Sequence, residues 1–222
     1  NNLLNQISKK DYNYISDFKR GKYQGITEMK DLILDLGEAQ NTEDLLLFLN
    51  GWIFPTDASI NVAISQSNTI KSKHPSLEVI NAKGQWQEVI SNIGFPSGKN
   101  KTVVVDLSDK FLSKDRKVRI RTNMESYWDH IFFANVIDVE MALTTMNPVA
   151  ADYHYRGFSR KSRKGSRYGP HWFDYYEVTT GQKWRDLTGA YTKYGDVTEL
   201  LQKADDKYII ANAGDETTIT FD

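Results

Sequence analysis

Residues Lys117–Ala134 read KVRIRTNMESYWDHIFFA. Val118, Ile120 and Thr122 alternate with Arg119 and Arg121, the period-2 pattern of a strand with one face buried. Ile131, Phe132 and Phe133 then form a short apolar run, as a core strand does. Between them Asn123, Glu125, Tyr127, Trp128 and Asp129 make a polar and aromatic turn. The stretch predicts strand, turn, strand.

The same grammar continues upstream. Thr102–Leu107 (TVVVDL) reads as a strand, followed by the polar link SDKFLSKDR. Leu77–Ile80 and Gln85–Ile90 flank Asn81–Gly84, a hairpin pattern with Gly84 placed for a positive φ. Ser59–Ser65 (SINVAIS) alternates and predicts a strand. Leu45–Phe54 is apolar enough for a fully buried strand, and Gly51 inside it signals a bulge or a close backbone approach. Asp31–Leu36 is a first strand ending at Gly37, and Leu3, Leu4 and Ile7 fit one helical turn. Short strands separated by turn signals, with no long amphipathic helix, argue an antiparallel fold over a βαβ one.

Downstream of Pro148 the texture changes. Tyr153–Phe158 and Trp172–Val178 read as strands, with the basic loop Ser159–Arg167 between them. Gly195-Asp196 offers an N-cap to a short helix over Val197–Gln202. Lys207–Ala211 and Thr217–Phe221 read as strands around the Asn212–Asp215 turn.

Composition narrows the function classes. The 222 residues include no cysteine, which excludes disulfides, Cys-ligated zinc and thiol catalysis. The net charge of −1 gives no global field toward nucleic acid or membrane, and no nucleic-acid motif is present. No apolar run approaches the ~18 residues of a membrane-spanning helix. Twelve Tyr, ten Phe and five Trp suit pleated half-buried surfaces, and equally suit stacking on ligands. The start, NNLLNQISKKDYNY, lacks the apolar core of a signal peptide, and the chain is expected to be one piece of a longer protein.

Several ordered runs carry a resemblance. They include Arg20–Gly25 (RGKYQG), Gly51–Asp57 (GWIFPTD), Ser59–Gln66, Gly94–Lys99 (GFPSGK), and Arg119–Asn123 with Tyr127–Asp129. Further on are Tyr155–Ser159, Trp184–Leu187, Tyr191–Val197, Asp205-Asp206 and Asn212–Glu216. Over residues 18–222 these resemble the C-terminal region of bacterial FG-GAP (VCBS-type) repeat proteins with ASPIC/UnbV segments, some with tetratricopeptide repeats. The resemblance implies an extracytoplasmic, β-rich module (periplasmic, cell-surface or secreted) that works beside other domains of one polypeptide. It implies no catalytic residues. The basic loop at 160–167 departs from what the family leads one to expect.

The candidate sites each have a structural counterpart. Trp128, Asp129, Tyr127, Asn123 and Arg121, with Trp52, could form a ligand platform: rings stack on a sugar face while polar groups bind its hydroxyls. Equally, Trp128 could plug the fold and Asp129 cap its turn. Asp57, Ser59 and Asn61 resemble half of a calcium loop but lack its glycine and closing glutamate, so a turn cap competes. A structural calcium elsewhere is compatible with the fold class, with no readable ligand set. His74, His130, His154 and His171 lack metal spacing. Asp205-Asp206 and Asp215-Glu216 are adjacent pairs that point opposite ways in extended chain. Arg160, Lys161, Arg163, Lys164 and Arg167 suit a solvated loop or an acidic partner.

The sequence therefore predicts a mostly-β jelly-roll, galactose-binding-like antiparallel β-sandwich over 26–145. A 1–25 arm or linker precedes it. An irregular extension with one short helix, 146–222, packs on it. The expected function is a non-catalytic accessory module binding glycan or another surface ligand. The alternative is a structural or assembly domain making protein–protein contacts, with oligomerisation allowed; a hydrolase ranks third.

Overall fold

A computed structural model describes residues 3–37, 41–165, 169–183 and 188–222. They form α1 (Leu4–Ile7), β1 (Ile26–Asp35), β2 (Leu45–Ile53), α2 (Ala58–Gln66), β3 (Ser76–Ile80), β4 (Trp86–Ile90), β5 (Lys101–Asp106), β6 (Lys117–Met124) and β7 (Ser126–Asn135). Then come β8 (Ala150–Tyr155), β9 (Phe158–Arg163), β10 (His171–Thr179), β11 (Gly195–Asp196), α3 (Thr198–Leu201) and β12 (Asp215–Thr220). The chain divides into two compact units, Asn1–Asp138 with Arg163–His171, and Val139–Ser162 with Trp172–Asp222.

The first unit holds two antiparallel sheets, ordered β1-β6-β3-β4 and β5-β2-β7. Alternation places one face of each strand inward. Val118 pairs with Leu34 and Val79, and Ile120 with Leu32 and Leu77. In the other sheet Leu47 lies between Val105 and Phe133, and Leu49 between Val103 and Ile131. These inward side chains from both sheets join one core, in which Leu47, Leu49, Leu77, Val79 and Val118 are fully buried. On the outer face Arg119 donates to Glu78 and lies 4.7 Å from the Trp86 ring centre, and Arg121 donates to Asp31 at 3.0 Å.

β6 and β7 are consecutive but belong to different sheets. Met124 pairs with Ile26 of β1, Ser126 with Ile53 of β2, and only Glu125 lies between. The expected polar turn is thus a one-residue crossing from sheet to sheet. Gly51 sits where the β2–β7 register shifts. A Cβ there would meet the Tyr127 carbonyl oxygen at 2.3 Å and Trp128 Cε3 at 2.7 Å. Both sequence signals at Gly51, bulge and close approach, are present.

Three expectations need correction. Ser59–Ser65 is not a strand; it lies in α2. Asp57 caps that helix by accepting from Ile60 N at 2.8 Å, and Ile60 and Ile64 share the helix's inner face at i, i+4 spacing. Val62, the third member of the apparent alternation, is exposed. The 1–25 arm is not a surface linker: Ile7, Tyr14 and Ile15 are buried, Ile15 N bonds Trp128 O, and Ser8 bridges His130. Ser159–Arg163 is strand β9 rather than loop, while Arg167 lies outside the described residues.

The second unit has sheet order β11-β8-β12, the β9–β10 pair, and a small core of Ala151, Tyr153 and Val197. Asp196 accepts from Thr198 N and Oγ1 ahead of α3, but the N-cap position is Val197, which makes no side-chain cap, so the expected Asp196 cap is also corrected. Lys207–Ala211 takes no strand, a further correction, and Trp184–Leu187 lies outside the described residues. Between β7 and β8 the chain has no regular element, and Ile137, Val139, Met141 and Leu143 are exposed.

Candidate functional site

The residues first suspected of forming a ligand platform are inside the first unit. Tyr127 and Asp129 are 0% exposed, Trp128 3%, Trp52 5% and Asn123 8%. Of their polar atoms, the Tyr127 hydroxyl is the one taken up at the Glu125 crossing. Glu125 Oε1 accepts from Tyr127 OH at 2.6 Å and from Arg20 Nε at 2.9 Å, and Oε2 from Gly25 N at 3.3 Å. Its own backbone N–H donates to Gly25 O, and its carbonyl accepts from Phe54 N. Burial, with the Glu125 hydrogen bond, pushes the Tyr127 phenol well above its usual range. Asp129 Oδ1 accepts from Asp11 N and Tyr12 N. Asp129 Oδ2 and Tyr14 OH are buried with no hydrogen-bond partner among the described residues. Burial raises the Asp129 carboxyl above its ordinary value, and the two N–H donors oppose the shift. Arg121, on the outer face, is held by Asp31. Tyr127 and Asp129 thus offer no surface to a solute, and Trp128 only lines a small cavity of about 70 Å³ with Phe18, Lys30 and Ile120.

What the turn does is position a pocket one layer outward. The Asn123 amide donates to Lys71 O at 2.8 Å and accepts from Lys73 N at 2.7 Å, fixing the loop after α2. Glu125 fixes Gly25 and Phe54 from the other side. The space enclosed, about 480 Å³, opens at the end of the strands. Its floor is apolar: Ile26, Ile53, Ile64 and Met124 with the rings of Phe54 and Phe95. Its rim is polar, with Asn61 and Ser65 from α2 and Lys71, Ser72 and His74 from the following loop. His74 and Phe95 meet edge to face at 5.5 Å.

The His74 tautomer follows from its neighbours. Asn92 Oδ1 accepts from Gly94 N, so the amide nitrogen faces His74 Nδ1 at 3.1 Å. An N–H donor there makes Nδ1 the acceptor and leaves the proton on Nε2 in the neutral ring. His74 Nε2–H and the Lys71 ammonium are both donors at the rim.

The calcium-like trio separates. Asp57 serves as the α2 cap, Ser59 Oγ donates to it at 2.7 Å, and Asn61 goes to the pocket rim. Among the described residues no three His, Asp or Glu side chains converge as a metal site. Nor is any described helix long and apolar enough to cross a membrane.

In the second unit a cleft of about 330 Å³ is lined by Tyr155, Tyr194, Asn212 and Asp215, among others. Asp215 is already engaged: it accepts from Tyr153 OH, Tyr194 OH and Asn212 N. Burial raises its pKa, but those donors outweigh it and hold the carboxyl below its usual value. Glu216 pairs with Arg156 at 3.0 Å, and Arg160 with Glu177 at 2.9 Å. His154 Nδ1 lies 2.8 Å from Asp152, and His130 tilts against Phe132.

Comparison with family models, curated proteins and solved structures returns no match. The pocket under α2 therefore has to be read from its own chemistry. Sequence reasoning missed it because its walls come from segments up to 99 residues apart, Gly25 to Met124. The local signals were the Asp57 cap and the glycine-rich Gly94–Lys99 loop, and neither marks a cavity alone.

Proposed function

We propose that this chain is a non-catalytic accessory module of a larger extracytoplasmic protein, built on a jelly-roll, galactose-binding-like sandwich, that binds glycan in the pocket under α2. The observation that carries the reading is the lining. An apolar floor with two phenylalanine rings lies beneath a rim of amide, hydroxyl, imidazole and ammonium groups. Sugars have apolar faces that pack on rings and hydroxyl edges that need such donors and acceptors. The volume lies within the range of small-ligand sites, roughly 300–1,000 Å³. The two sheets sharing one core support the sandwich, and the resemblance to FG-GAP/ASPIC-type proteins supports the setting.

A glycan array with calorimetric follow-up tests this. Phe95→Ala and Asn61→Ala should each weaken the array hit about tenfold, roughly 1.4 kcal/mol, with the melting temperature held. An array with no hit, or a hit indifferent to both substitutions, refutes the site.

A second reading, an assembly role, rests on a separate feature. Ile137, Val139, Met141 and Leu143 alternate with Asp138, Glu140 and Ala142 in chain that pairs with no strand, and Leu143 is 87% exposed. Such a pattern suits addition to another sheet's open edge. Light scattering that finds multimers dispersed by Met141→Lys would support it, and a monomer at all concentrations would not.

A further inference from the structure

The charges around the pocket are one-sided. Lys71 and His74 line it, and no Asp or Glu does. The neighbouring Lys73 is neutralised by Glu88, its Nζ 2.9 Å from Oε2. Lys71 differs: its Nζ reaches the Ser65 carbonyl at 3.5 Å, and among the described residues it makes no ion pair with a carboxylate. Asp57, ahead of α2, is turned into the helix start, where Ile60 N and Ser59 Oγ hold its Oδ1. The backbone under Lys71 is pinned by Asn123, so the cation is anchored at the rim. A cation and an N–H donor on one rim, beside an apolar floor, complement a carboxylate carried on a sugar ring.

We infer that the pocket selects acidic sugars, with the carboxylate of a uronic-acid residue held between the Lys71 ammonium and His74 Nε2–H. This rests on the glycan reading above and adds the chemical class of the ligand. Asn61, Ser65 and Ser72 serve the hydroxyls, and Phe54 and Phe95 pack on the ring face.

The test is calorimetry of the whole chain with polygalacturonate, alginate and a glucuronate-containing polysaccharide, each beside its carboxyl-reduced form. Reduction keeps the sugar and linkage and removes only the charge. At least one native polymer should bind about tenfold tighter than its reduced form, a difference of 1.4 kcal/mol. Raising the salt should shrink that difference. Lys71→Gln should abolish the preference, so that native and reduced polymers bind alike. Lys73→Gln should leave the preference intact, because Lys73 already faces Glu88.

Equal binding of native and reduced forms overturns the inference, as does a preference that survives Lys71→Gln. Binding of neutral sugars alone overturns the acidic preference and leaves the glycan reading standing. No binding to any acidic or neutral glycan overturns both.

Discussion

Replacing Glu125 with alanine should be among the most damaging single changes in the first unit. Two buried donors lose their acceptor: the Tyr127 hydroxyl at 2.6 Å and the Gly25 amide at 3.3 Å. Each stranded donor costs about 1–3 kcal/mol. Arg20, the third partner, keeps 41% of its side chain exposed, so water can take it back and its pairing adds at most about 1 kcal/mol. The expected loss is about 2–7 kcal/mol, a large share of the roughly 5–15 kcal/mol that holds a domain folded. Urea unfolding followed by tryptophan fluorescence measures it, since Trp52, Trp86 and Trp128 all lie in this unit. The midpoint should fall with the slope unchanged. Arg20→Ala should cost less than about 1 kcal/mol. Were Glu125→Ala to cost under about 1 kcal/mol, or Arg20→Ala to cost as much as Glu125→Ala, the crossing would not be held as described.

Two further outcomes are expected. Gly51→Ala should cost about 3 kcal/mol, the upper end for overpacking, because the obstacles are the Tyr127 carbonyl and the Trp128 ring and Cα. Gly84→Ala meets open space and only the strain of φ +74, so it should cost about 1 kcal/mol; thermal melts of the pair separate crowding from backbone strain. Asp129→Asn should flatten the pH dependence of stability. The folded carboxyl lies above its ordinary value, so its contribution is full below the unfolded pKa of about 3.9 and is lost as pH rises through the folded one. The variant should therefore gain on the natural chain as pH rises above about 4, and parallel stability curves would disprove the assignment.

The alternation of Val118, Ile120 and Thr122 was legible because one face of β6 is buried along its length. The strand's neighbours were not, because β1 and β3 reach it from 88 and 41 residues away, as in Leu32↔Ile120 and Glu78↔Arg119. SINVAIS misled because Ile60 and Ile64 satisfy the strand and helix patterns alike; the Asp57 cap decided between them. The aromatic and polar turn looked like a site because polar side chains normally face water. Here distant segments take that place: Arg20 and Gly25 meet Glu125, Asp11 and Tyr12 meet Asp129, and Lys71 and Lys73 meet Asn123. The pocket inherits that distance: its rim lies on α2 and the loop after it, held by Asn123 from β6.

A crossing of one residue also locks two registers together. If β6 slipped by one position along β1, β7 would be dragged by one position along β2. Every side chain in both strands would then change face, sending Val118 and Ile120 outward together with Ile131 and Phe133. Misalignment in either sheet thus disrupts the shared core from both sides at once. An inserted residue at this junction would uncouple the pair, and slippage that the natural chain forbids would become accessible to each sheet separately.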